Sequence, residues 1–152
     1  MVVELLAAWL GEWVTVSFAG KLLQDLKSQL NPSDLERALK AATQAAQEQD
    51  QEQGLFDSCQ PDVIPKFLKA FFEGDGFEEL QKPLNNQGMP DVDFLVLAFA
   101  RAAKNYPQLG DINQALVKPW LEVFIETYFQ RTNTYLRFQV AKNNYCQQLA
   151  IW

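Results

Sequence analysis

Residues 119–152 read PWLEVFIETYFQRTNTYLRFQVAKNNYCQQLAIW, and their spacing decides the fold. Steps of three and four from Leu121 reach Phe124, Tyr128, Arg131, Tyr135, Phe138, Lys142, Tyr145, Leu149 and Trp152. Eight of these ten positions on one helical stripe are large apolar or aromatic residues, and only Arg131 and Lys142 interrupt it. A helix with so many rings on one face is not stable alone in water and must lie in a groove built by the rest of the chain or by a partner. The stripe therefore predicts a long helix as the spine of a bundle. Thr132, Asn133 and Thr134 are poor helix formers, but the stripe continues across them and predicts one unbroken helix. Pro119 is expected to kink this segment or to start it afresh, after Asp111 caps the residues leading through Leu116 and Val117. At the far end, Leu149 to Trp152 carries no Gly or Asn past the last turn and no basic last turn, which leads us to expect a domain cut from a longer chain.

Upstream, helical punctuation recurs. Pro90-Asp91-Val92 opens a helix with Phe94, Leu95, Ala98 and Phe99 predicted inward, and Pro107 ends it. Pro61-Asp62-Val63 opens another, with Phe67, Leu68, Phe71 and Phe72 as its buried face, Pro65 in its first turn and Gly74 and Gly76 at its end. The two Pro-Asp-Val openings, each followed by Phe-Leu, raise the idea of a duplicated unit, but their registers differ by two residues and one pair is not an array. Phe77 to Leu84 reads as a short helix stopped by Pro83. Asn31-Pro32-Ser33-Asp34 is the clearest helix start: Asn31 caps free amides, Pro32 suits the first helical position, and Asp34 complements the dipole. That helix shows a narrow stripe of Leu35, Ala38, Leu39, Ala42 and Ala46, then passes into Gln and acids from Gln47 to Gln53, expected as a solvated last turn or a mobile loop. Val2 to Leu30 reads as one helix or two joined near Gly11 or Gly20. No segment alternates with period two, so the fold class is all-α, a single helical domain over 1–152 built as a bundle of about six helices with a long aromatic-striped C-terminal helix.

Composition narrows the function. The 152 residues are 48% hydrophobic and 21% charged, a globular balance sufficient for one core. Net charge is −6, which argues against tracking a phosphate backbone. Residues 1–47 hold five acids and four bases, 48–93 eleven and three, and 94–152 three and six, giving −1, −8 and +3. Such asymmetry either orients a partner or marks a solvated acidic connection. There is no His, which removes His general bases, His metal ligands and Ser-His or Cys-His nucleophile pairs. Cys59 and Cys146 lack the spacing of a disulfide framework or a zinc site and read as buried or reduced thiols. Glu4 stands where a secretory signal carries Lys or Arg, so a cytoplasmic protein is expected.

Candidate chemistry fails on spacing. Glu73, Asp75, Glu78, Glu79, Asp91 and Asp93 are dense in acid, yet no start among them supplies calcium-loop ligands with a closing Glu, and they read as a solvated loop. Glu122 and Glu126 lie one turn apart without the His a di-iron bundle site needs, so they read as surface residues. Gly20-Lys21 matches the end of a phosphate loop, but Thr15 and Leu22 stand where Gly and Ser or Thr are required. No catalytic, cofactor-binding or metal-binding residue is assigned, no cofactor is expected, and the function is expected to lie in surfaces.

The opening with Ala19-Gly20-Lys21-Leu22-Leu23, and the closing Tyr135-Leu136-Arg137-Phe138-Gln139-Val140-Ala141-Lys142 ahead of Leu149 to Trp152, resemble the N-terminal helical domains that precede the ATPase module of bacterial NACHT proteins, relatives of animal NOD-like receptors. The resemblance implies a non-catalytic interaction and signalling domain in antiviral defence. Its implied partners are another protein or a second copy, with the ATPase module following in the same chain and no nucleic acid. A competing reading makes Val2 to Phe18 a membrane-acting effector helix: its only charges are Glu4 and Glu12, and Trp9, Trp13 and Phe18 suit a bilayer interface. Both charges are acidic, however, and a core helix would look the same.

Overall fold

The computed structural model describes residues 16–24, 30–50, 54–56, 58–60, 62–85 and 87–151, with side chains from 18 to 137. Among the described residues there are six α-helices and no strand: α1 Val16–Leu23, α2 Pro32–Asp50, α3 Ile64–Glu73, α4 Asp75–Gln81, α5 Val92–Lys104 and α6 Gln114–Ile151. Short 3-10 turns lie at Lys82–Asn85 and Pro107–Leu109. The architecture is the all-α bundle with a long final helix that the periodicity predicts. Helix α2 makes the most extensive packing with α6, α5 covers a second side of α6, and α3 packs on α5.

Helix α6 is continuous through Thr132, Asn133 and Thr134, as the stripe predicts. Its inward face is Val117, Trp120, Leu121, Phe124, Ile125, Tyr128 and Thr132, all buried. The expected stripe needs one correction: Arg131 is exposed and Thr132 takes its place in the core. Spacing alone allows either residue after Tyr128, and Thr132 can be buried because its hydroxyl donates to the carbonyls of Tyr128 at 2.9 Å and Phe129 at 3.1 Å. Tyr135 is half-buried, and the side chains of Phe138, Lys142, Tyr145, Leu149 and Trp152 lie outside the described residues. Pro119 starts nothing: the helix begins at Gln114 and carries the proline inside it. Only one intrahelical bond is lost there, because proline lacks the amide that would reach back one turn. The capping residue is Asn113 rather than Asp111, since the Ala115 amide donates to Asn113 Oδ1 at 3.2 Å.

The predicted start of α2 forms as expected, with the Asp34 amide donating to Asn31 Oδ1 at 2.9 Å and Pro32 in the first turn. Ala38, Ala42 and Ala46 are fully buried, and their small side chains let the α2 backbone approach its neighbours closely. Arg37 pairs with Asp34 and places its guanidinium 5.3 Å from the Tyr135 ring centroid, joining α2 to α6. The Gln-rich end is not a solvated tail. The helix holds to Asp50, Gln47 and Asp50 are buried, and Asp50 Oδ1 accepts from the Leu55 amide at 2.6 Å. Gly54, with φ 77°, closes the helix by donating to the Asp50 carbonyl at 2.8 Å. Asp50 is internal because it satisfies the turn that follows it, a tertiary role that composition does not reveal; residues 51–53 lie outside the described residues.

In the aromatic interior, Phe67, Leu68, Phe71 and Phe72 are the buried face of α3, as predicted. Phe72 stacks on Phe124 at 4.9 Å, Trp120 and Tyr128 stack along α6 on either side of Phe124 at 5.7 and 6.5 Å, and Phe67 meets Phe99 edge-on at 4.9 Å. In α1, Phe18, Ala19 and Leu22 join this core, and the helix runs through Gly20 rather than jointing there. Gly11 lies outside the described residues, as do residues 25–29 of the expected helix up to Leu30, which is itself buried.

Tyr128 has a second role. Its hydroxyl donates at 2.6 Å to the Leu80 carbonyl in the last turn of α4, a position where helices leave acceptors unpaired. Burial pushes the phenol well above its ordinary range. A group whose folded pKa is raised contributes stability that is complete below its unfolded value and is lost as pH rises. Stability is therefore expected to fall above about pH 10. Urea melts of Tyr128→Phe should show a shallower alkaline loss than wild type, together with a cost of about 1–3 kcal/mol at neutral pH for the orphaned carbonyl. Parallel alkaline slopes for the two proteins would refute this role.

Candidate functional site

The acidic residues singled out in the sequence are dispersed by the fold. Glu79 is buried and structural: its Oε1 accepts from the Asp91 amide at 2.7 Å and meets Lys82 Nζ at 2.8 Å, fixing the loop that leads into α5. The reading of it as part of a solvated loop is thereby corrected. Asp91 caps α5, accepting from the Phe94 amide at 3.1 Å. Asp75 and Glu78 are exposed, Glu73 lies 3.9 Å from Lys21, and Asp93 lies 3.4 Å from Lys118. Among the described residues no group of three or more His, Cys, Asp or Glu side chains converges on a metal-sized space.

The other sequence candidates are placed as follows. Glu126 is exposed and Glu122 half-buried on the outer side of α6. Gly20-Lys21 lies within α1, where the backbone amides serve the helix rather than a loop that could cradle phosphate. Cys59 is buried, with its thiol 3.6 Å from the Asp111 carbonyl, while the side chain of Cys146 lies outside the described residues. The two Pro-Asp-Val openings are not equivalent either. Asp91 caps α5 with its side chain, whereas Val63 holds the cap position of α3 with no side-chain bond.

The feature that the sequence reading missed is on α5. Leu95, Ala98 and Phe99 face inward as expected, but Phe94 is 39% exposed and Leu97 66% exposed, and Met89 just ahead of the helix is 42% exposed. The signal was present: positions 94 to 100 are Phe-Leu-Val-Leu-Ala-Phe-Ala, apolar around the whole helix, and a helix that packs on one side of a bundle buries only one such face. Arg101 and Lys104 are exposed at the C-terminal end of the helix, opposite Asp93 at its N-terminal end. Beside the basic end lies a shallow groove of about 190 Å³ lined by Phe71 of α3, Asp75 at the start of α4, Arg101 of α5, and Asn105 and Tyr106 just past its end.

These observations define an all-helical module with an apolar, charge-flanked helix face as its conspicuous surface feature. The chain belongs to the NACHT N-terminal helical domain 2 family, whose model matches residues 6–152. The family resemblance read at the two ends of the sequence is thus shown, and it extends over nearly the whole chain. No curated protein and no solved structure matches it. No helix among the described residues is long and apolar enough to cross a membrane. Of the segment considered as an effector helix, Val2 to Phe18, residues 2–15 lie outside the described residues, and Phe18 is buried against Phe77 at 6.5 Å.

Proposed function

We propose that residues 1–152 form one non-catalytic domain of a longer bacterial NACHT protein, acting in the cytoplasm to couple the ATPase module of its parent to a protein effector or to further copies of itself during antiviral defence. The observation that carries this reading is the family membership over residues 6–152. It is supported by a sequence without His and by conspicuous apolar surface at Phe94 and Leu97, since exposed apolar groups rimmed by charge mark association surfaces. The test compares the parent protein with a version lacking residues 1–152, in cells challenged with phage. Deletion is expected to abolish protection while nucleotide hydrolysis by the purified remainder persists. Full protection without the domain would overturn the proposal.

A further inference from the structure

Helix α5 has an outer face that nothing in the described structure covers, and its pattern is self-complementary. Leu97 lies near the middle of the helix, with Asp93 one turn before it and Arg101 one turn after it. Spacings of three and four set Phe94, Leu97 and Arg101 along one side, Asp93 and Lys104 border it, and all five are exposed. When two such helices are laid antiparallel about a two-fold axis at Leu97, the leucines meet, each Phe94 lies beside the partner's Leu97, and each Asp93 lies opposite an arginine. The same two-fold brings the Met89 end of one copy over the groove at Asn105 and Tyr106 of the other, and methionine fills irregular apolar gaps readily. A parallel arrangement has the opposite result, with acid facing acid and base facing base.

Acid at the start of a helix and base at its end also complement the helix's own dipole, so the charges alone decide nothing. The dipole does not account for Leu97 at 66% exposure in the centre of the same face. Lys118 holds Asp93 at 3.4 Å, but their side chains are 56% and 84% exposed, and so loose a pair leaves Asp93 available to a partner.

We infer that this face of α5 pairs with the same face of a second copy of the chain, antiparallel about a two-fold axis at Leu97, with Asp93 and Arg101 in reciprocal pairs. This deepens the interaction reading above, on which it rests, by naming the partner and the surface. The interface is isologous, so it closes at two copies and leaves the rest of each bundle free. A single helix face covers less surface than the roughly 800 Å² per partner of a standard interface, so a weak dimer is expected.

Sedimentation velocity of the chain up to about 1 mM should show a monomer–dimer equilibrium that weakens as salt rises from about 0.05 to 0.5 M. Asp93→Arg and Arg101→Asp should each weaken the dimer at least about tenfold, and the two together should restore it to within about threefold of wild type. Circular dichroism melts should confirm that all three variants remain folded. Geometry is read separately by a short bismaleimide, with wild type reporting any reaction of Cys59 or Cys146. Leu97→Cys should cross-link, whereas Lys104→Cys should not, because antiparallel pairing separates the two copies of position 104 by about 21 Å along the axis. A chain that stays monomeric, a double variant no better than the singles, or equal cross-linking through position 104 would each overturn the α5 pairing. Those results leave the interaction reading intact, since that reading stands or falls on the deletion assay of the parent protein.

Discussion

Replacing Phe124 by Ala is expected to destabilise the domain by about 3–5 kcal/mol, a large fraction of the roughly 5–15 kcal/mol available to a domain of this kind. The side chain is 1% exposed and touches three other rings, Phe72, Trp120 and Tyr128, which come from α3 and α6. Truncation leaves a cavity bounded by flat, rigid groups that cannot collapse into it, so the loss belongs at the upper end of the range for an aromatic. Glu122→Ala, half a turn away on the outer side of the same helix, should stay within about 0.5 kcal/mol. Chemical denaturation of the two variants measures the difference directly. Equal losses would mean that α6 does not present this face to the core.

Gly110→Ala is expected to cost about 3 kcal/mol or more, although it adds only one methyl group. Gly110 has φ 98°, a region closed to side chains, and a Cβ there would fall 2.6 Å from the Ser58 carbonyl oxygen. The obstacle is backbone, so no rotamer change relieves it. Gly20→Ala is the matched control: it lies inside α1 with nothing within 4 Å of the added atom, and it should be neutral or slightly stabilising. A thermal melt in which Gly110→Ala matches wild type would show that the 58–60 and 109–111 segments are not held as described.

The helices were legible because amphipathic spacing and caps are local. Asn31-Pro32 marks the start of α2, and the Phe67, Leu68, Phe71 and Phe72 face of α3 can be read directly. What was not legible depended on which neighbours each side chain meets. The spacing after Tyr128 admits Arg131 or Thr132, and only the tertiary surroundings select the threonine. Asp50 and Glu79 look like solvent-facing acids until the amides of Leu55 and Asp91 are brought to them. Phe94 departs from its expected inward position because an all-apolar helix gives no sign of which side its neighbours leave bare. The family was legible from two stretches near the ends, Ala19 to Leu23 and Tyr135 to Lys142, although the match spans residues 6–152. The candidate surface was invisible to motif reasoning, because its ingredients are ordinary leucine, phenylalanine, aspartate and arginine.

The bridge between Cys59 and Gly110 bears on the order in which the chain folds. The Gln60 amide donates to the Leu109 carbonyl at 2.8 Å and the Asn113 amide reaches the Leu55 carbonyl at 3.5 Å, so the chain leaves the α2–α6 pair and returns to it at one place. Everything from α3 through α5 is a closed excursion between those two points. Bringing the ends of a roughly 50-residue excursion together costs on the order of 3 kcal/mol of chain entropy before α2 can rest on α6. The interface with the most packing is therefore among the most distant in sequence, and it is expected to form late in folding, after the local pairing of α3, α4 and α5 has shortened the effective loop.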